Sequence, residues 1–555
     1  MFQAHSAPTE EPMLSDAIPI ETPYIFGYEP RWRTANQSSA SPRVQKYKWQ
    51  LINRFWSAVN EQVAHLSPRW TDEEKRVWQM VASLPIPKTD EELSQIGFDR
   101  PSAFWVYGLG LTPAFIFEVP NPKKLNTWAR AHLANREHTF KSVKYHAGTY
   151  WRKELTRWVI LLRLKGKRLY LSILPKRAEP VLLSYFLRDV QPQSVTQTLR
   201  THFDSLPQGR GSGVINLENM IDLIFGSKRP LLKHSGTSLG LPTPIFKPCE
   251  ADLRAVGEQV KSITLGLKET DQNSVDVFTH FSLSQPRLTL LEPVKLSSTP
   301  LDDLRSSEEY GGIAMRMRFG GLFSALENIG QQWSTTPWTC PLLQSFNQMS
   351  LATKLPQWSF IKGLLSPLEG LTMLIHKNNS QDPNKNMSLN FEGWLELFYP
   401  SPNFIINLLT NLKKIPKLPA DYYLLDGKIR DWTIVNSNLN KPLVSLTNKG
   451  IMASLGSWGE RIHREKKTDQ QSQSTLKLVS SNQLGHPLLW LSLPSDFTTW
   501  LQAKLASYRN RTIKGDHSQL PNVQTNTSQR IFRALSLHLV ESGLLLKVTL
   551  DTNHF

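Results

Sequence analysis

Apolar and polar positions alternate over short stretches along much of the chain, and Gly, Pro or charged turns close most of these stretches. The first, residues 22–30 (TPYIFGYEP), is aromatic and β-branched and stops at Pro30, so it predicts a strand. The period changes over 47–65. Leu51, Phe55, Val59 and Val63 recur at every fourth position there and predict a helix. Residues 102–119 return to alternation as AFWVY and AFIFEV, two strands joined through 108–113. Residues 158–174 predict another pair, 159–164 and 169–174, around the turn Lys165-Gly166-Lys167. Tight turns between adjacent strands fit antiparallel pairing, because a parallel crossover needs a dozen residues or more. The expected fold class is α+β, with antiparallel sheets and helices packed on one face.

Two stretches far apart read alike. Val119-Pro120-Asn121-Pro122 leads into an apolar helical pattern, and so does Tyr399-Pro400-Ser401-Pro402, 280 positions later. In each, the first Pro ends a strand and the second presets φ at a helix start, with Asn121 or Ser401 where an N-cap belongs. The segment 164–172 matches 446–454 at an offset of 282, ending on Ser172 and Ser454. Three further pairs keep the same order: 24–28 with 313–317, 213–224 with 488–501, and 262–283 with 533–550. Five ordered matches predict an internal duplication. The expected organisation is a polar tail at 1–19, a first lobe at 20–290, a linker at 291–309 and a related second lobe at 310–555. Residues 226–248, 469–474 and 509–528 are Gly-, Pro- or Ser-rich or polar and predict irregular connections.

Composition narrows the class of protein. Forty per cent hydrophobic residues in 555 suffice for packed cores and exclude a wholly disordered chain. Two cysteines exclude a disulfide-dense scaffold and a Cys-rich zinc site. Lysine and arginine number 64 against 47 acids, a net charge of +17, which favours anionic partners. The basic residues form short groups such as 165–168 and 464–467, the pattern of a solvated surface with a basic bias. No stretch is apolar enough for a transmembrane helix, and the opening residues lack the basic and apolar regions of a leader.

Catalytic patterns are sparse. Gly236-Thr237-Ser238-Leu239-Gly240 has the spacing of a nucleophile elbow, but Pro242 and Pro244 block the helix that should follow, so it reads as a loop. The glycines of 209–213 lack the lysine and spacing of a phosphate loop and read as a flexible connection. Histidines are dispersed, and the acids at 302–309 read as solvated surface. Among 17 tryptophans, Trp56, Trp128 and Trp158 sit at periodic core positions. Trp32 and Trp70 adjoin arginines that could stack on bases or lie at a membrane interface. No catalytic, cofactor or metal residues are assigned. Cys249 and Cys340 each precede a predicted helix and fit either two buried thiols in a reducing compartment or one bond in an oxidising one.

The segments 22–30, Gly97-Phe-Asp with 107–113, and Pro120-Asn-Pro-Lys-Lys-Leu125 resemble an uncharacterised family of exported bacterial proteins, and the likeness covers most of the chain. Those proteins carry a leader, which this sequence does not show, and two cysteines placed like Cys249 and Cys340. The resemblance implies a periplasmic or envelope-associated location, with cytoplasmic as the alternative. The expected function is non-enzymatic envelope binding or scaffolding; a hydrolase of an envelope polymer is second and a cytosolic nucleic-acid binder third. Expected partners are an envelope protein or an anionic envelope surface rather than nucleic acid, without a cofactor. Cys249 and Cys340, the only cysteines, are expected to form one structural disulfide joining the end of the first lobe to the start of the second.

Overall fold

The computed structural model describes residues 12–29, 72, 97, 103–110, 112–133, 140–145, 148–204, 206, 211–226, 229, 231–232, 249–271, 274–294, 310–341, 343–347, 356–377, 391–399, 423–424, 432–435, 443–447, 450–455, 488–492, 532–540 and 542–551. The chain divides into two units, 1–269 with 278–283, and 270–277 with 284–554. It is α+β, with antiparallel strand ladders and helices.

The first unit carries β1 (Tyr24–Tyr28), β2 (Phe104–Leu109), β3 (Thr112–Glu118), α1 (Pro122–Leu133), β4 (Lys141–Tyr145), β5 (Gly148–Glu154), β6 (Trp158–Lys165) and β7 (Arg168–Pro175). Then follow α2 (Glu179–Phe186), α3 (Thr196–Asp204), β8 (Gly211–Asn216), α4 (Leu217–Phe225), α5 (Glu250–Gln259), β9 (Val260–Asp271) and β10 (Ser274–Leu283), of which residues 270–277 belong to the second unit. The predicted hairpins form, and Gly166 makes the β6–β7 turn with φ 55°. The backbone N–H of Lys124 donates to Asn121 Oδ1 at 3.1 Å, so Asn121 caps α1 directly after the strand-ending Pro120. Strand neighbours run β4-β5-β6-β7-β3-β2-β1-β8-β9, with β10 beside β9.

One face of this ladder is buried, carrying Ile25, Trp105, Tyr107, Ile116, Leu161 and Tyr170. Helices cover it: Phe186 of α2 meets the Tyr170 ring edge-on, and Phe203 of α3 stacks on Trp105. Residues 13–19, expected in a polar tail, instead belong to this core. Leu14–Ala17 is a 3-10 turn, and Ala17 and Ile18 are 1% and 0% exposed. The buried Glu29 carboxylate explains why. It accepts from the backbone N–H groups of Leu14 and Ser15 at 2.7 and 3.3 Å and from the Trp105 indole at 3.0 Å.

The second unit carries α6 (Gln285–Leu291), β11 (Tyr310–Met315), α7 (Phe319–Thr335), α8 (Pro356–Leu365), β12 (Gly370–Lys377), β13 (Phe391–Phe398), β14 (Tyr423–Leu424) and β15 (Trp432–Val435). It continues with β16 (Leu443–Thr447), β17 (Gly450–Leu455), β18 (Leu489–Ser492), β19 (Phe532–Val540) and β20 (Gly543–Asp551). Its strand neighbours run β14-β15-β16-β17-β13-β12-β11-β18-β19-β20. Val294, Phe319, Phe323, Leu368 and Tyr399 form its core, and the Phe323 ring meets Trp358 of α8 edge-on. Val294 thus places part of the expected linker in a folded core.

The two neighbour orders are the same when each strand of the first unit is matched to the strand ten places later. The register agrees too. Moving Phe117 by 280 and Leu169 by 282, the spacings read from the sequence, carries their pairing in β3–β7 onto Leu397 with Ile451 in β13–β17. The same shift carries Leu164–Leu169 onto Leu446–Ile451. Ser172 and Ser454, which correspond under it, are 0% and 2% exposed. The helix predicted over 47–65, the helix after Ser401 and the irregular connections at 469–474 and 509–528 lie outside the described residues.

Candidate functional site

Position 202 on α3 faces β9 and β10. Leu199 and Phe203 of α3 are buried in the core, and His202 is half-buried beside them. Ser262 of β9, opposite Asn216 of β8, sits with its Oγ 3.4 Å from His202 Nδ1. His280 of β10 is 1% exposed and lies close enough to interact electrostatically with His202. Removal from water disfavours both imidazolium forms. Burial lowers His202 below the usual histidine range, and burial, with His202 second, lowers His280 to about 4. A hydroxyl beside a neutral imidazole resembles a nucleophile and its base, but reach for proton abstraction is about 2.6–3.2 Å. Here the pair is longer, and Ser262 is only 2% exposed, so the group is closed to a substrate and serves as a polar element of the core.

A second buried polar group lies in the other unit, which includes residues 270–277. The Asp276 carboxylate, 1% exposed, accepts from Thr549 Oγ1 at 2.7 Å and pairs with Lys547 at 2.7 Å. Lys547 is opposite Ser536 in β19–β20, and Ser536 Oγ is 3.0 Å from His538 Nε2. A buried charge held by an opposite charge and a hydroxyl is satisfied in place, which is a structural arrangement.

The third arrangement is open to solvent. Strands β4–β7 form a four-strand meander, and residues 141–177 carry eleven Lys and Arg against one acid, Glu154. Arg152 binds Glu179 through Nε and Nη2 at 2.7 and 2.8 Å and Glu154 through Nη1 at 2.7 Å. The side-chain hydrogen bonds from Lys176 and then Arg152 hold Glu154 down at about 2. At the other end Asp189 collects Arg163 at 3.3 Å, the Tyr170 hydroxyl at 3.2 Å and Lys165. Burial first, then Asp189, pushes Tyr170 up to about 12. Arg163 is itself 1% exposed, anchored by a 2.5 Å bond to the Leu187 carbonyl. Lys141, Lys144, Lys153, Lys167 and Arg177 have no acidic partner among the described residues.

The sequence-nominated residues fare differently. Cys249 and Cys340 are buried, 2% and 0% exposed, and neither is a free thiol. Gly211–Gly213, expected in a flexible connection, open strand β8 instead. A Cβ at Gly213 would overlap the Phe26 ring of the neighbouring strand, so glycine is required there by packing. Trp158 is half-buried against Leu155, Ile160 and Ile173. Gly236–Gly240, the acids at 302–309, and Trp32, Trp56 and Trp70 lie outside the described residues, as does the side chain of Trp128. Neither buried histidine group was marked in the sequence, because its members stand at 202, 262 and 280, or at 276, 536, 538 and 547, with no common spacing.

The class defined at this point is an α+β chain whose two units share one strand order. Comparison with protein-family models, curated proteins and solved structures finds no match.

Proposed function

We propose that this chain is a non-enzymatic binding or scaffolding protein of the bacterial envelope, working in an oxidising compartment and built by internal duplication. The observation that carries the compartment is that Cys249 and Cys340 are buried and neither is a free thiol, since disulfides persist outside the reducing cytosol. Duplication is supported by the shared strand order and by the register that the offsets of 280 and 282 reproduce. A binding role is favoured over hydrolysis by the closure of the Ser262–His202 pair, whose hydroxyl is 2% exposed.

Fractionation of the native cell, combined with thiol alkylation before any reductant is added, tests the reading. The expected result is recovery with envelope or periplasmic markers and no alkylated cysteine. Recovery with cytosolic markers and two alkylated thiols overturns it. Turnover of an envelope polymer abolished by Ser262→Ala, with the fold retained, would replace the binding role by the hydrolytic one.

A further inference from the structure

The basic excess of this protein is concentrated in one stretch of the chain. Residues 141–177 hold eleven basic side chains and one acid, so they account for ten of the seventeen net positive charges. In sequence they are short groups; the β4–β7 meander brings them into adjacent strands. Lys141 stands directly opposite Arg152, and Lys165 opposite Arg168. Like charges so placed repel. The nearby acids Glu154, Glu179 and Asp189 are already engaged by Arg152, Lys176, Arg163 and Lys165.

Strand β4 adds a second feature. It ends the ladder, and four of its five residues are exposed, so it contributes almost nothing to a core. Its alternation puts Lys141 and Tyr145 on one face and Lys144 on the other, all exposed, with Tyr145 at 41%. Trp151 on β5, opposite Ser142, is half-buried. Cations interleaved with Tyr and Trp are the side chains that settle at a lipid headgroup layer.

We infer that the β4 edge of the meander, where side chains of both faces reach solvent, is a docking surface for an anionic phospholipid bilayer. This rests on the envelope reading: in an oxidising compartment of a bacterium, phospholipid headgroups supply a fixed anionic surface that nucleic acid does not. Each Lys or Arg near such a surface adds to the attraction, which decays within a Debye length. Lys141, Lys144, Lys153, Lys167 and Arg177 are the side chains released for it, since no acid among the described residues engages them.

Co-sedimentation of the full chain with vesicles provides the test. Vesicles of equimolar phosphatidylcholine and phosphatidylglycerol should bind it, and vesicles of phosphatidylcholine alone should not. Raising salt should release it. A variant with those five cations changed to Gln should keep its far-ultraviolet circular dichroism and bind roughly a hundredfold more weakly or less. A control variant losing five exposed cations elsewhere, Lys123, Arg188, Arg200, Lys261 and Arg318, should keep near wild-type binding. Equal loss in both variants, binding to neutral vesicles, no binding, or tighter binding to duplex DNA lost through the same five changes would each overturn the inference. Failure here leaves the compartment untouched, because that is judged by alkylation and fractionation. Free thiols in a protein that still binds the anionic vesicles would remove the compartment alone.

Discussion

Gly27 of β1 lies opposite Trp105 of β2, and a Cβ there would run into the Phe104 carbonyl oxygen and the Trp105 ring. Both contacts belong to a rigid ladder, so the neighbours have little room to yield. Gly27→Ala is expected to cost about 1–3 kcal/mol in urea unfolding. Gly166→Ala, with open space but φ 55°, should cost only about 1 kcal/mol from backbone strain. His280 makes a prediction in pH. Its folded pKa is about 4 against 6.5 unfolded, lowered first by burial and then by His202. Above 6.5 both states are neutral; as pH falls, the unfolded chain takes up the proton first. Stability should therefore decline from pH 6.5 to about 4 and the His280 contribution should level off below that. In His280→Gln, thermal melts across that range should show a shallower decline. An unchanged slope would show that His280 does not titrate out of step between the two states.

At the scale of elements, local chemistry explains most boundaries. Asn216 caps α4 by accepting the Asn219 backbone N–H at 2.9 Å, and Gly226 ends the helix with φ 99°. Asn216→Ala should destabilise by about 1 kcal/mol in chemical unfolding, while Asn216→Ser, which keeps an acceptor, should be nearly neutral. Such caps, like the Pro-x-Pro at 120–122 and the Lys165-Gly166-Lys167 turn, are contiguous in sequence and were legible there. Gly211–Gly213 was misread because the reason for Gly213 lies on another strand, in the Phe26 ring. The 3-10 turn at 14–17 was missed likewise. Its polar flank looked like a tail, and the carboxylate that holds it, Glu29, comes from beyond β1.

For the whole molecule, the cysteine pair is the testable constraint. A bond between Cys249 and Cys340 closes a loop of 91 residues, and the chain-entropy model assigns such a loop about 4–5 kcal/mol. Unfolding with and without reductant should differ by an amount of that order, and Cys249→Ser with Cys340→Ser should match the reduced protein. Equal stability in all three would place no constraint on the unfolded chain. The net charge of +17 is likewise a property of the whole, but its effect depends on where the fold puts it.

The sequence by itself determined the α+β class, the hairpins β2–β3 and β6–β7, the cap of α1, and the spacings that reproduce the β3–β7 register in β13–β17. These depend on alternation, turn residues and caps, all properties of neighbouring positions. Only the tertiary structure decided that His202, Ser262 and His280 meet and that Asp276 receives Lys547 and Thr549. The physical reason is that these side chains are brought together by strand pairing and helix packing between distant positions. Burial, and with it the charge state of each group, exists only once that ladder has closed.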